Sequence, residues 1–161
     1  MKRLIIINLI LFWITSSIDL VHGQSLGNPV DSFSIIQTVL PGANPEFEYA
    51  YENDKLTIFK IQGVEKKGEY IKKKKRIYST HFNEGEIESL DSILTLININ
   101  KLDSNYSNAS LDGIYWSFIF QQGDKRRIIV LDNYYLEELD LLLAYLNKQL
   151  PQKMRLISLK I

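Results

Sequence analysis

Twice along this chain, segments with an apolar period of two give way to a segment with a period near 3.6. Glu46–Glu52 alternates strictly, with Phe47, Tyr49 and Tyr51 on one side and Glu46, Glu48 and Glu52 on the other. That pattern specifies a half-buried strand. Asn53-Asp54 signals a turn and Leu56–Gln62 a second strand, so the two form a hairpin in which Tyr51 faces Leu56 and Tyr49 faces Ile58. A third strand is expected over Arg76–Phe82. Asn83, with Glu86 three residues on, then opens a helix through a capping box. Its apolar stripe is Ile87, Leu90, Ile93, Leu94 and Ile97, and it ends near Asn98.

After a polar loop over Asp103–Asp112, the pattern recurs. Tyr115–Gln121 and Arg127–Leu131 form a hairpin closed by Gly123-Asp124, where glycine supplies a positive φ. Its register pairs Trp116 with Leu131 and Phe118 with Ile129. Tyr134–Gln149 is a second helix carrying Leu136, Leu139, Leu143, Leu146 and Leu150 on one face, stopped by Pro151. Met154–Lys160 reads as a last short strand, and Val30–Leu40 has no clean period. Leu56–Gly63 aligns with Trp116–Gly123 at an offset of 60, and Glu86–Asn98 with Tyr135–Asn147 at an offset of 49. The first unit therefore holds 11 extra residues, within Val64–Lys74. The expected fold is α+β: an antiparallel sheet of five or six strands with two helices on one face, consistent with a tandem ββα repeat.

The N-terminus has the three parts of a cleavable signal peptide: Met1-Lys2-Arg3, an apolar Leu4–Ile14 interrupted only by Asn8, and a polar stretch ending Val21-His22-Gly23. Leu4–Ile14 falls short of the roughly 20 apolar residues that a transmembrane helix requires. Cleavage is expected after Gly23, which places the protein in a secreted or periplasmic compartment. The organisation is then 1–23 signal peptide, 24–45 leader and Pro41–Pro45 loop, and 46–161 a single α+β domain. Cleavage leaves 138 of the 161 residues, enough for an independent core. The chain has no cysteine, so the exported fold rests on that core alone. A hydrophobic content of 45% and an aromatic content of 11% make this feasible.

The mature chain carries 17 basic and 18 acidic residues, which provides no overall field for nucleic acid. The charge is instead concentrated in one stretch. Lys66, Lys67, Lys72, Lys73, Lys74, Lys75 and Arg76 place seven positive charges in eleven residues around Tyr70. These residues are the candidate binding set, suited to an acidic protein or an anionic envelope component. The bland alternative is a solvated hairpin whose lysines prevent edge-to-edge pairing.

Other chemistry is weaker. Glu84, Glu86, Glu88 and Asp91, and Glu137, Glu138 and Asp140, fall in the first turns of helices, where acids suit the helix dipole. Asp103–Asn108 resembles the opening of a calcium loop, but Asn108 stands where glycine is needed and Ile114 where the closing glutamate is needed. Asn105-Tyr106-Ser107 and Asn108-Ala109-Ser110 are glycosylation acceptor patterns that matter only in a eukaryotic secretory pathway. His81 is the one histidine left after cleavage, too few for a histidine-ligated metal. No catalytic residue, metal site or cofactor is expected.

The second hairpin is apolar on both faces, with Tyr115, Ile119, Ile128 and Val130 opposite the helix-facing set. Val30–Leu40, the terminal strand or another protein must cover that side. The sequence thus reads as an exported, non-enzymatic binding or accessory protein acting through a sheet face or the basic hairpin. The alternatives are a small carrier with an apolar pocket and a small secreted hydrolase using carboxylates.

Overall fold

The computed structural model describes residues 30–38, 46–66, 69–108 and 114–156. The expected signal peptide, residues 24–29 and the Pro41–Pro45 loop lie outside the described residues.

Among the described residues, seven strands form one mixed sheet: β1 (Ser32–Thr38), β2 (Glu46–Glu52), β3 (Lys55–Lys66), β4 (Glu69–His81), β5 (Asn105–Ser107), β6 (Tyr115–Gln122) and β7 (Lys125–Asp132). Their order across the sheet is β4-β3-β2-β1-β6-β7-β5. Both expected hairpin registers are present: Tyr51 pairs with Leu56 and Tyr49 with Ile58, while Trp116 pairs with Leu131 and Phe118 with Ile129. Turn chemistry sets these registers. Asn53 and Asp54 both take positive φ, 50° and 58°, as a two-residue hairpin turn with the twist of its strands demands. Gly123 has φ 56°, and nothing lies within 4 Å of where a Cβ would sit, so glycine serves the backbone conformation there rather than space.

Two helices follow the outer hairpins, α1 (Glu84–Leu96) and α2 (Glu137–Gln149). The expected capping box closes α1: the Asn83 side chain accepts from the Glu86 N–H at 3.0 Å, and the Asn83 N–H donates to Glu86 Oε2 at 2.8 Å. The helices are tied by Tyr145, whose hydroxyl donates to the Glu86 carbonyl at 2.5 Å. Leu90 and Leu94 of α1, and Leu139, Leu142, Leu143 and Leu146 of α2, are buried in one cluster with the sheet residues Phe33, Ile35, Tyr49, Tyr51, Leu56, Ile58, Trp116, Phe118, Phe120, Ile129 and Leu131. Aromatic rings run across the middle strands: Phe33 stacks on Tyr51 at 5.2 Å and meets Phe120 at 6.3 Å. Such pairs hold neighbouring strands in register as well as burying area.

The fold is α+β with two helices, as expected, but the sheet has seven strands and is mixed rather than purely antiparallel. One unexpected strand is β1, within Val30–Leu40. It pairs antiparallel with both β2 and β6, so it completes the sheet instead of covering its second face. Its period was obscured because Ile36 lies on the face away from the helices, while Gln37 lies buried on the core side between Trp116 and Phe47. The other is β5, three residues inside the expected polar loop, which pairs parallel to β7. The expected terminal strand is replaced at its start by a 3-10 turn, Gln152–Met154; residues 157–161 lie outside the described residues. Asn147 then supplies a side-chain substitute for strand pairing: it accepts from the Leu156 N–H at 2.7 Å and donates to the Leu156 carbonyl at 3.0 Å.

Candidate functional site

The described residues of the lysine-rich segment are strand. The strand expected to end at Gln62 continues to Lys66, and the strand expected to begin at Arg76 begins at Glu69. Long side chains that reach solvent from either face let a lysine run adopt extended backbone at a sheet edge, and β4 is the edge strand. β2 pairs with β3 only as far as Glu46 opposite Ile61. Beyond that point β3 pairs with β4 alone, from Gln62 opposite Lys73 to Lys66 opposite Glu69. A two-stranded ribbon therefore extends past the sheet by five residues per strand, roughly 17 Å at the usual strand rise.

The register assigns each cation to a face. Lys72 and Lys74 lie opposite Gly63 and Ile61, on the face away from the helices. Lys73 and Lys75 lie opposite Gln62 and Lys60, on the other face. A bulge then intervenes: Tyr78 opposes Ile58 and Arg76 opposes Phe59, so Ile77 is the extra residue and Arg76 joins Lys72 and Lys74. All five side chains from Lys72 to Arg76 are exposed. Lys66 and Tyr70 stand on the same ribbon by register, and Lys67 lies outside the described residues.

One of the candidate residues has a structural partner. Lys74 Nζ lies 2.5 Å from Glu48 Oε2, and Glu48 Oε1 accepts from the Ser34 hydroxyl at 3.0 Å. Glu48 is on β2, so the pair bridges across β3. Its carboxylate is buried although it faces away from the core. Sequence reasoning missed this pair because 26 positions separate its members; the usable signal was Glu48, a mid-strand carboxylate flanked by aromatics.

The face opposite the helices is mixed. Ile36, Phe59, Ile119 and Val130 are partly buried, Ile128 is 42% exposed, and Ser34, Ser117 and Thr57 lie among them. Ile61 on this face is buried outside the main core cluster, beside Lys74.

The remaining candidates are dispersed. Glu86 is used by the capping box, while Glu84, Glu88, Asp91, Glu137 and Glu138 are exposed along the helices. Ser79 and His81 are exposed on β4. Part of the calcium-like stretch is β5: the Tyr106 ring lies tilted against Tyr134 with centroids 5.2 Å apart, and its hydroxyl accepts from the Asp103 N–H at 2.8 Å. Among the described residues, no three His, Asp or Glu side chains gather closely enough to hold a metal ion. The perturbed groups are tyrosines. Burial pushes the Tyr49 and Tyr51 hydroxyls up to about 12, with Asp54 adding to the effect at Tyr51. Burial, and then Glu86, raise Tyr145. Comparison with protein-family models and with curated proteins finds no match to this chain.

Proposed function

We propose that the protein is exported by cleavage after Gly23 and works outside the cytoplasm as a non-enzymatic binding or accessory protein. Its contact element is the β3–β4 ribbon with the adjoining outer edge of β4, through Lys66, Lys67, Tyr70, Lys72, Lys73, Lys75 and Arg76. One observation carries this reading: a basic ribbon extends beyond the last β2 pairing, with exposed cations on both faces. The partner is an acidic protein or an anionic envelope component. The charge balance supports a directed contact, since α1 carries four acids and no base, and α2 three acids and Lys148. Opposite charges segregated on one small body orient it toward an anionic partner. On the same reading the two ββα units are copies of one ancestral unit, and the first gained the ribbon.

The test replaces residues 63–72 with a two-residue Asn-Gly turn, leaving Lys74 and its pairing with Glu48 in place. The shortened protein loses Lys66, Lys67, Tyr70 and Lys72 but keeps Lys73, Lys75 and Arg76. It is expected to keep its unfolding midpoint, because the pairing from Gln62 opposite Lys73 inward is left in place, and to be retained more weakly on the native envelope fraction. Unchanged, salt-insensitive retention refutes the ribbon as the contact element. Terminal sequencing of the exported protein checks the cleavage site, and a chain that still begins at Met1 refutes it.

A further inference from the structure

We infer that the partner of the basic ribbon is an acidic polypeptide in extended conformation, added as a further strand along the outer edge of β4. The inference rests on the ribbon being the contact element, and it names what that element recognises.

The edge supplies the first half of the case. β4 is 13 residues long and ends the sheet; among the described residues, no strand pairs with its outer side. Antiparallel pairing with β3 uses the main-chain groups of every second residue, so those in between point outward. Long edges are templates for another chain, and proteins usually shorten, bend or charge them. This edge is charged and carries a bulge at Ile77 but keeps its length.

The charges decide which chain can use it. A second copy pairing through β4 would set a run of five consecutive cations against an equal run, and like charges placed directly opposite destabilise a strand pair. The same run attracts an acidic strand, whose glutamate Cβ atoms would fall about 5 Å from those of the lysines opposite them, close enough for the charged ends to pair. The two-faced arrangement excludes a flat partner. A lipid surface could meet Lys72, Lys74 and Arg76, or Lys73 and Lys75, but not both sets at once. A strand laid along the edge presents alternate side chains to both faces, as the ribbon does. Because Lys74 is paired with Glu48, Lys73, Lys75 and Arg76 are the principal contacts.

The test uses synthetic peptides of about ten residues, mixing glutamate with valine and threonine, and the mature protein at low salt. The unmodified peptide is expected to bind and to slow amide exchange along residues 71–76. A version N-methylated at alternate residues keeps one bonding edge and should bind comparably. Methylation at every residue leaves charge unchanged but removes strand pairing, and should weaken binding about tenfold or more. Equal binding by the fully methylated peptide overturns strand addition, yet leaves the ribbon as an electrostatic contact. Tighter binding to anionic lipid vesicles than to the peptide overturns the assignment to a polypeptide. If the double reversal Lys73→Glu, Lys75→Glu changes neither peptide binding nor retention on the envelope fraction, the ribbon is not the contact element and the underlying reading falls with it.

Discussion

Replacing Leu143 with alanine tests the packing of the helix layer on the sheet. Leu143 is fully buried on α2, in one cluster with Leu139, Leu146 and the sheet aromatics. The substitution removes three carbon atoms, worth about 0.8 kcal/mol each, or roughly 2.4 kcal/mol of transfer free energy. A void then remains, because a hydrogen-bonded sheet floor cannot close over it, and voids add about 24 cal/mol per Å³. The expected loss is about 3–4 kcal/mol, within the roughly 2–5 kcal/mol span for buried leucines. Leu141, two residues earlier, is 49% exposed, and Leu141→Ala should cost less than about 1 kcal/mol. Urea titration followed by tryptophan fluorescence measures both. Trp116 is buried in the core, and the other tryptophan, Trp13, lies in the expected signal peptide. The midpoint should fall with the slope unchanged, since only stability is altered. A loss below about 1 kcal/mol at Leu143, or an equal loss at Leu141, would refute the assigned helix face.

Asn83→Ala should cost about 1 kcal/mol by undoing the capping box, and the helical signal should fray first at residues 84–87 in amide exchange. Lys74→Met should destabilise by about 1–2 kcal/mol, less than a fully buried pair would, because the lysine side chain is about half exposed. Glu48→Gln in that background should recover part of the loss, and no recovery in the double mutant would argue against the pair. Tyr49 and Tyr51 ionise near 12 when folded and near 10 when unfolded, so they leave stability unaffected below pH 10 and lower it as pH rises from 10 to 12. Urea midpoints across that window, compared with Tyr49→Phe, should show a shallower decline in the variant.

The hairpins were legible in the sequence because two local signals agreed. Alternation fixed the faces, and Asn53-Asp54 and Gly123-Asp124 fixed the registers. The capping box was legible for the same reason, since its residues are neighbours. β1 was hidden by its central position: a strand paired on both edges is specified by its neighbours, and Ile36 and Gln37 contradict simple alternation. β5 is three polar or aromatic residues whose strand conformation depends on β7. The cations of the candidate site were legible as a run, but their strand conformation was not. Lysine is a poor strand former, and the extended state here comes from pairing with Gln62, Lys60 and Ile61 of β3. The Glu48–Lys74 contact depends on three strands being aligned at once, which no local window contains.

The position of β1 bears on how the molecule can be assembled. Phe33 pairs with Tyr51 on one side and with Phe120 on the other, so this early strand closes two contacts very different in sequence span. When the chain emerges N-terminus first, the near contact can form early, while the far side of β1 stays bare until β6, ending at Gln122 of 161 residues, has been delivered. Long-range pairing of this kind slows folding and leaves an aggregation-prone edge in the interim. The waiting edge carries Phe33 and Ile35, so a holding factor acting on the nascent form would find its target there, on a surface that the finished protein buries.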